Sequence, residues 1–355
     1  MKSILEAPDL KGKRVLVRVD WSVPVQHGKV LDDYQIRKSL PTIEYLQKAG
    51  AKITLISHAE KDDESLLPMF QCAKEFLPLT FVELSDMVLL ENLRQNAGEK
   101  GNSEAYAKKL AALGDIYVNE AFGVSHREHA SVVGVPKFLP SYVGLRFIEE
   151  VERLSSVFYP KRPFLFILGG AKFDTKLPLL EKFIQIADHI FVVGALAHNF
   201  FKAKNMEIGH SLVSESDFNL IEKLSNDKVH LPVDMLVKRG GRTHIDVPTN
   251  LESEDVIMDA GPNTILELKD IITHSSSVLW NGPLGYYELG YKQYTMELAK
   301  ILAESGKETI IGGGDTLAVI KELNLYDKFS FVSTGGGAML GFLAKGTLPG
   351  IEALK

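Results

Sequence analysis

Thr309–Thr316 reads TIIGGGDT and Val332–Ala338 reads VSTGGGA. Each is a short β-branched apolar run that stops at three glycines. Helical spacing follows both: Thr316-Leu-Ala-Val-Ile-Lys-Glu-Leu after the first, Ala338-Met-Leu-Gly-Phe-Leu after the second. A third run, Phe164–Lys172 (FLFILGGAK), has the same form and ends in a lysine. Strand, glycine turn and helix start together make a geometry that binds phosphate. Glycine lets the backbone approach the anion and adopt φ > 0. The free N–H groups and the dipole of the helix start then favour negative charge. A tight connection that binds nothing explains any one such run as well. Three in one region favour the phosphate site.

Working outward, the region holding these runs is a series of βα units. Strands are expected at Phe164–Leu168, His189–Val193, His230–Pro232 and Ser277–Trp280, with helices over Leu177–Ile186 and Ala195–Lys202. The N-terminal half has a similar build. Arg14–Val19 (RVLVRV) and Ala51–Ser57 (AKITLIS) read as strands, flanking a helix over Asp33–Ala49 with apolar Ile36, Leu40, Ile43 and Leu46 at helical spacing. Strand, helix, strand at this spacing gives a parallel βαβ unit. Further strands are expected at Phe81–Leu84, Met87–Leu90 and Asp115–Asn119, and helices over Pro68–Phe76 and Asn102–Leu113. Amphipathic Phe147–Phe158 reads as a helix between domains. The fold class is therefore α/β. The expected domains are 1–146, the linking helix 147–160, 161–340, and a tail, 341–355, that packs back on another element. A length of 355 residues suits two domains.

Formal net charge is −6, so no overall basic field draws nucleic acid or an anionic membrane. Basic residues that cluster are then aimed at a small anion. One cysteine, Cys72, suits a reducing compartment and excludes an internal disulfide framework. No apolar run is long enough to span a bilayer, and the N-terminus lacks a signal peptide's apolar region. The expected location is the cytoplasm.

Ligand sites in open α/β sheets lie beyond the carboxyl ends of the strands. Asp20, His58, Arg94, His126 and Arg127 all fall at such ends. Arginine's planar fork suits carboxylate and phosphate, so this half is read as the holder of an anionic acceptor. The other half offers glycine turns, Lys172, Lys176, Asp315 and the turn Asn281-Gly-Pro283. Asp315 follows three glycines at a helix start. It is either an N-cap or a ligand to Mg²⁺ on a nucleotide. An acid on one half and a nucleotide on the other suggest phosphoryl transfer across a cleft, in which catalysis is mostly positioning and charge stabilisation.

From end to end the chain resembles the phosphoglycerate kinase family. The matching segments are Val15–Pro24 (VLVRVDWSVP), Leu89–Arg94, Val118–Gly123, His126–His129, Arg162–Lys172, Leu231–Asp234, Asp259–Pro262, Val278–Gly285 (VLWNGPLG), Gly312–Thr316 and Ser333–Ala338. The resemblance implies two Rossmann-like, three-layer domains with parallel sheets facing a cleft. It implies reversible phosphoryl transfer between 1,3-bisphosphoglycerate and ADP, giving 3-phosphoglycerate and ATP with Mg²⁺, in a monomer. Acid-side residues implied are Asp20, Ser22, Gln35, His58, Lys61, Arg94 and Arg127. Nucleotide-side residues implied are Lys172, Lys176, Gly194, Asn281, Glu288 on the ribose, Gly312, Gly313, Gly314, Asp315 and Thr316, with Asp315 as metal ligand and Gly336 and Gly337 lining the phosphates. Lys172, Arg127, Gly313 and Gly336 are implied to touch the transferring group.

Departures from the family pattern gather on the acid side. Ser22 stands for an asparagine, Gln35 for an arginine that stabilises the transferring group, and His58-Ala-Glu-Lys61 for His-Leu-Gly-Arg. On the nucleotide side Thr175 stands for an aspartate, and the adenine loop is thinned to Val193-Gly194-Ala195. Two other readings of the same residues are a kinase of a different small acid and a nucleotide-binding paralogue without turnover.

Overall fold

Strands buried on both faces read as unbroken apolar runs, because helices cover a parallel sheet on either side. Val15, Leu16 and Val17 are wholly buried, as are Leu165, Phe166, Ile167 and Leu168. The computed structural model describes residues 1–82, 85–214 and 218–355, apart from the side chains of Asp174 and Asn219. They group into two units, Met1–Glu152 with Gly337–Lys355, and Arg153–Gly336.

The first unit is built on a six-stranded, all-parallel sheet. From edge to edge the strands are Thr80–Phe81, Met87–Leu89, Lys52–Ile56, Arg14–Arg18, Ile116–Asn119 and Ser141–Val143. Val17 lies between Leu55 and Val118. The helix Tyr34–Lys48 turns Ile36, Ser39, Thr42, Ile43 and Leu46 inward. It ends at Gly50, whose φ is +76°. Of the strand expected over Phe81–Leu84, Glu83 and Leu84 lie outside the described residues.

The second unit carries another six-stranded parallel sheet. Its order is Val229–His230, His189–Val192, Phe164–Leu168, Ser277–Asn281, Glu308–Gly312 and Phe331–Val332. Counted along the chain this is 3-2-1-4-5-6, the doubly wound order, which reverses between Phe164–Leu168 and Ser277–Asn281. A crevice for a ligand forms beyond the carboxyl ends of the two strands at such a reversal. The fold thus places Gly169 and Gly170 beside Asn281 and Gly282.

Two differences from the sequence reading stand out. The helix after the third glycine run starts at Phe173, not Leu177. Its first turn is largely polar and so gave no apolar period. A three-stranded antiparallel sheet, Arg242–Asp246, Met235–Arg239 and Val256–Ala260, was not expected. Its hairpin turns on Gly240-Gly241, both at positive φ, which two-residue turns between twisted strands favour.

Candidate active site

In the first unit the site grows from a buried cation. Arg18 ends its strand fully buried. Its Nε donates to Ser131 Oγ at 2.9 Å, one terminal nitrogen donates to the Val19 carbonyl, and the other lies 2.9 Å from His58 Nδ1. A guanidinium can only donate. His58 Nδ1 therefore accepts, and the ring's proton sits on Nε2. Burial first, then Arg18, Arg94 and Arg127, hold His58 far below the usual histidine range. Ser131 in turn gives its hydroxyl to buried Glu99 at 2.5 Å, and Tyr117 donates to the Ser131 carbonyl at 2.6 Å.

Arg94 is buried at the turn after Met87–Leu89. It donates to the carbonyls of Ala59 (3.2 Å) and Glu60 (3.0 Å), and its buried Nε meets no partner among the described residues. Burial, followed by Arg127 and Arg18, lowers its pKa. Asn92 shapes the loop around it. Its oxygen accepts from the N–H groups of Ala59 and Arg94, and its amide donates to the carbonyls of Lys61, Asp62 and Glu64. His129 is pushed down to about 4 by burial, then by Arg127, Arg18 and Arg94. His126 is lowered by burial and Arg127. Burial, and then the neighbouring arginines, hold these histidines below their usual range. Such an excess of positive charge suits an anion.

Asp20 sits at the rim, taking 2.7 Å and 3.4 Å hydrogen bonds from Ser22 Oγ and Gln35 Nε2. Lys61 stands apart: it is exposed and pairs with Glu64 at 3.2 Å. The sequence reading passed over Arg18 and His129 as site residues. The signal for Arg18 was a charge inside an otherwise apolar strand, since a buried polar group is the informative exception.

In the second unit four adjacent strands end together on turns. Gly169 N–H donates to the Asn281 carbonyl (2.8 Å) and Gly170 N–H to the Pro283 carbonyl (3.1 Å). Gly282 N–H donates to Thr316 Oγ1 (3.0 Å). Gly313 has φ +106°, and a Cβ there would lie 3.3 Å from Asn281 Nδ2. Gly313 caps the helix Gly314–Glu322, with Asp315 in its first turn. Gly194 begins the helix Ala195–Ala203 and faces Gly170. Lys172 is exposed at the start of the helix Phe173–Ile186. Lys176, one turn on, is buried against the Gly169 carbonyl, and burial brings its pKa down to about 8. Asp315 is pushed up by desolvation and by neighbouring Glu288, while Lys176 and Lys172 pull it down. Gly169, Gly170, Gly194, Asn281, Gly312–Thr316 and both lysines so gather at the reversal of strand order. Gly336 closes the unit with φ +48°.

A family model for phosphoglycerate kinase matches residues 5–346. The chain belongs to the phosphoglycerate kinase family. A phosphoglycerate kinase of Dictyoglomus turgidum is 38% identical over 391 aligned positions, covering 100% of this chain and 99% of its own. That of Aquifex aeolicus is 38% identical over 386 positions, covering 98% and 97%. The phosphoglycerate kinase structure from Pyrococcus horikoshii superposes with a TM-score of 0.88 at 27% identity, covering 100% of this chain and 98% of that one. The one from Coxiella burnetii gives 0.84 at 34% identity, covering 99% and 97%. As a phosphoglycerate kinase relative across its length, the chain is an ATP-dependent phosphotransferase with a carboxyl-group acceptor. The readings of a different acid kinase and of a silent paralogue are not favoured.

Proposed function

We propose that the first unit takes 3-phosphoglycerate on Arg18, His58, Arg94 and Arg127, with Asp20, Ser22 and Gln35 at its rim. The second unit takes the phosphates of ATP or ADP on Gly312–Thr316, Lys172 and Lys176, with Asn281 and Gly194 shaping the floor and Glu288 near the ribose. The observation that carries this reading is the surplus of positive charge around neutral His58. A dianionic phosphate and a carboxylate supply the missing negative charge, and His58 Nε2–H offers them a donor without competing for a proton.

Phosphoryl transfer asks the protein mainly for alignment and charge neutralisation. The N–H groups opening Gly314–Glu322 have no partner within the helix and are aimed at an incoming anion. Lys172 and Lys176 add positive charge where the terminal phosphate would lie. Gly313 and Gly336 leave bare peptide there. Magnesium fits Asp315: it is a hard carboxylate at a helix start, flanked by lysines. Among the described residues no three histidine, cysteine or acidic groups could hold a metal by themselves. The ion would therefore come with the phosphates, whose charge it neutralises. Lys61, paired with Glu64, is given no role in the ground state.

The chain is further read as a monomeric, cytoplasmic, glycolytic enzyme on its family's precedent. Among the described residues no helix is long and apolar enough to cross a membrane. The test is ADP formation from MgATP by purified protein across a panel of carboxylic and phosphorylated acids. Turnover dependent on 3-phosphoglycerate, at the highest kcat/KM of the panel, is expected. Nucleotide binding without that turnover would overturn the reading.

A further inference from the structure

Away from both sites, the edge of the second sheet carries a row of three polar side chains. His189 opens the strand His189–Val192, and His230 closes its neighbour Val229–His230, opposite Phe191. His189 Nδ1 lies 3.1 Å from His230 Nε2. His230 Nδ1 lies 3.4 Å from Glu267 Oε1 on the helix Pro262–His274. The Phe191 ring stacks on His230 with 14° between planes, which fixes the imidazole. Side chains of His230 and Glu267 are 23% and 33% exposed, so solvent reaches the row. Phosphoryl transfer uses none of these groups. His189 lies at the amino end of its strand, whereas the phosphate turns leave the carboxyl ends.

We propose that His189 and His230 bind one borderline divalent transition-metal ion, Zn²⁺, Ni²⁺ or Cu²⁺, with Glu267 orienting the His230 ring. Two ring nitrogens 3.1 Å apart, each about 2.0–2.1 Å from a shared ion, subtend roughly 100° at it. That lies between the square and tetrahedral angles these ions adopt. As the ion takes its place between the rings, the proton shared there moves to the far nitrogen of its own ring, so both ligands stay neutral imidazoles. Carboxylate, histidine, metal is the order in which an outer-shell acid fixes a ligand's tautomer. Among the described residues no third histidine, cysteine or acid completes a closed site, so water fills the remaining positions. Imidazole nitrogens and an open shell exclude magnesium as the intended ion.

The test is titration of the full chain at pH 7.5 with zinc or nickel chloride alone, no nucleotide present, followed by calorimetry and thermal unfolding. Uptake of one ion per chain and a higher Tm are expected. His189→Ala and His230→Ala should each weaken uptake at least tenfold, and Glu267→Gln about tenfold. The paramagnetic spectrum of the wild-type Cu²⁺ complex reads the ligands without any substitution and should show two imidazole nitrogens. No uptake by the wild type overturns the proposal. So does unchanged uptake in folded His189→Ala and His230→Ala chains, or a copper spectrum without two nitrogen couplings.

Discussion

Residue 35 carries an uncharged amide that donates to Asp20 at 3.4 Å. The nearby cation cannot stand in for an arginine there. Arg37 turns to the other side of the helix, pairing with Asp33 at 2.7 Å and lying over the Phe76 ring. Gln35→Arg is therefore expected to raise kcat, by as much as ~10²-fold, the scale of one electrostatic contact to a transferring group. Steady-state kinetics with 3-phosphoglycerate check this. A variant no faster than the wild type would mean that another group already supplies the charge. Lys176 bears on pH. Its folded value of about 8 lies below the free lysine value because it is buried. Without nucleotide it holds its proton below about pH 8 and loses it above, so nucleotide affinity should fall as pH rises through 8. Lys176→Met should bind roughly 10–100-fold more weakly, consistent with a lost charged hydrogen bond, and lose that pH step. Asp20, His58 and Arg94 could be read as candidates because they stand just after apolar strand runs, and Arg127 because it lies in the loop that leaves the strand Ile116–Asn119. Arg18 could not, because it stands inside such a run. For Lys61, exposed and paired with Glu64, sequence spacing did not say which way the loop side chain turns.

Among elements, the glycine turns test the phosphate reading most sharply. Gly313→Ala places a Cβ at φ +106°, strained by about 1–2 kcal/mol, and crowds the path to the helix start. The expected result is a tenfold or greater loss in ATP affinity by calorimetry, with 3-phosphoglycerate affinity unchanged. The linking helix Leu145–Ser156 is tied at its start by Glu120, which accepts from Arg146 N–H (3.1 Å) and Thr42 Oγ1 (2.7 Å). Burial pushes Glu120 up to about 8. Between roughly pH 4.5 and 8 the folded chain then holds a proton that the unfolded chain has lost, so stability declines with rising pH across that window. Glu120→Gln should flatten the decline and make the protein more stable than wild type at pH 9, by a few kcal/mol. Denaturant unfolding at pH 5 and pH 9 decides it, and a variant less stable at both would show the carboxylate to be charged. The strand–glycine–helix units could be read from sequence because burial on both faces leaves unbroken apolar runs. The hairpin on Gly240-Gly241 escaped, although a glycine pair between two short runs is a turn signal. Its strand Arg242–Asp246 is largely exposed and lacks a clear apolar face.

At the scale of the whole molecule, two parallel sheets could be foreseen from the alternation of strand and helix patterns, but their strand orders could not. Order is set by which crossovers pack, and single-strand patterns do not carry that. The second sheet's reversal is what brings turns from residues near 170, 194, 281 and 313 into one place. The chain's last stretch also has a structural part in the first unit. Leu348, Ile351 and Leu354 are buried, Gly350 N–H donates to the Ser125 carbonyl at 2.8 Å, and Phe342 packs edge-on against Phe122. Ending the chain at Gly346 removes three buried aliphatic side chains, each worth about 1.5–3 kcal/mol. The first unit should melt earlier while nucleotide binding persists. The most direct measurement is a crystal structure with 3-phosphoglycerate and a nucleotide bound. The acid should lie within hydrogen-bond reach of His58 Nε2, Arg94 and Arg127, and the phosphates on the turn Gly312–Thr316. An acid bound elsewhere, with that arginine cluster empty, would contradict the mechanism and leave only the fold.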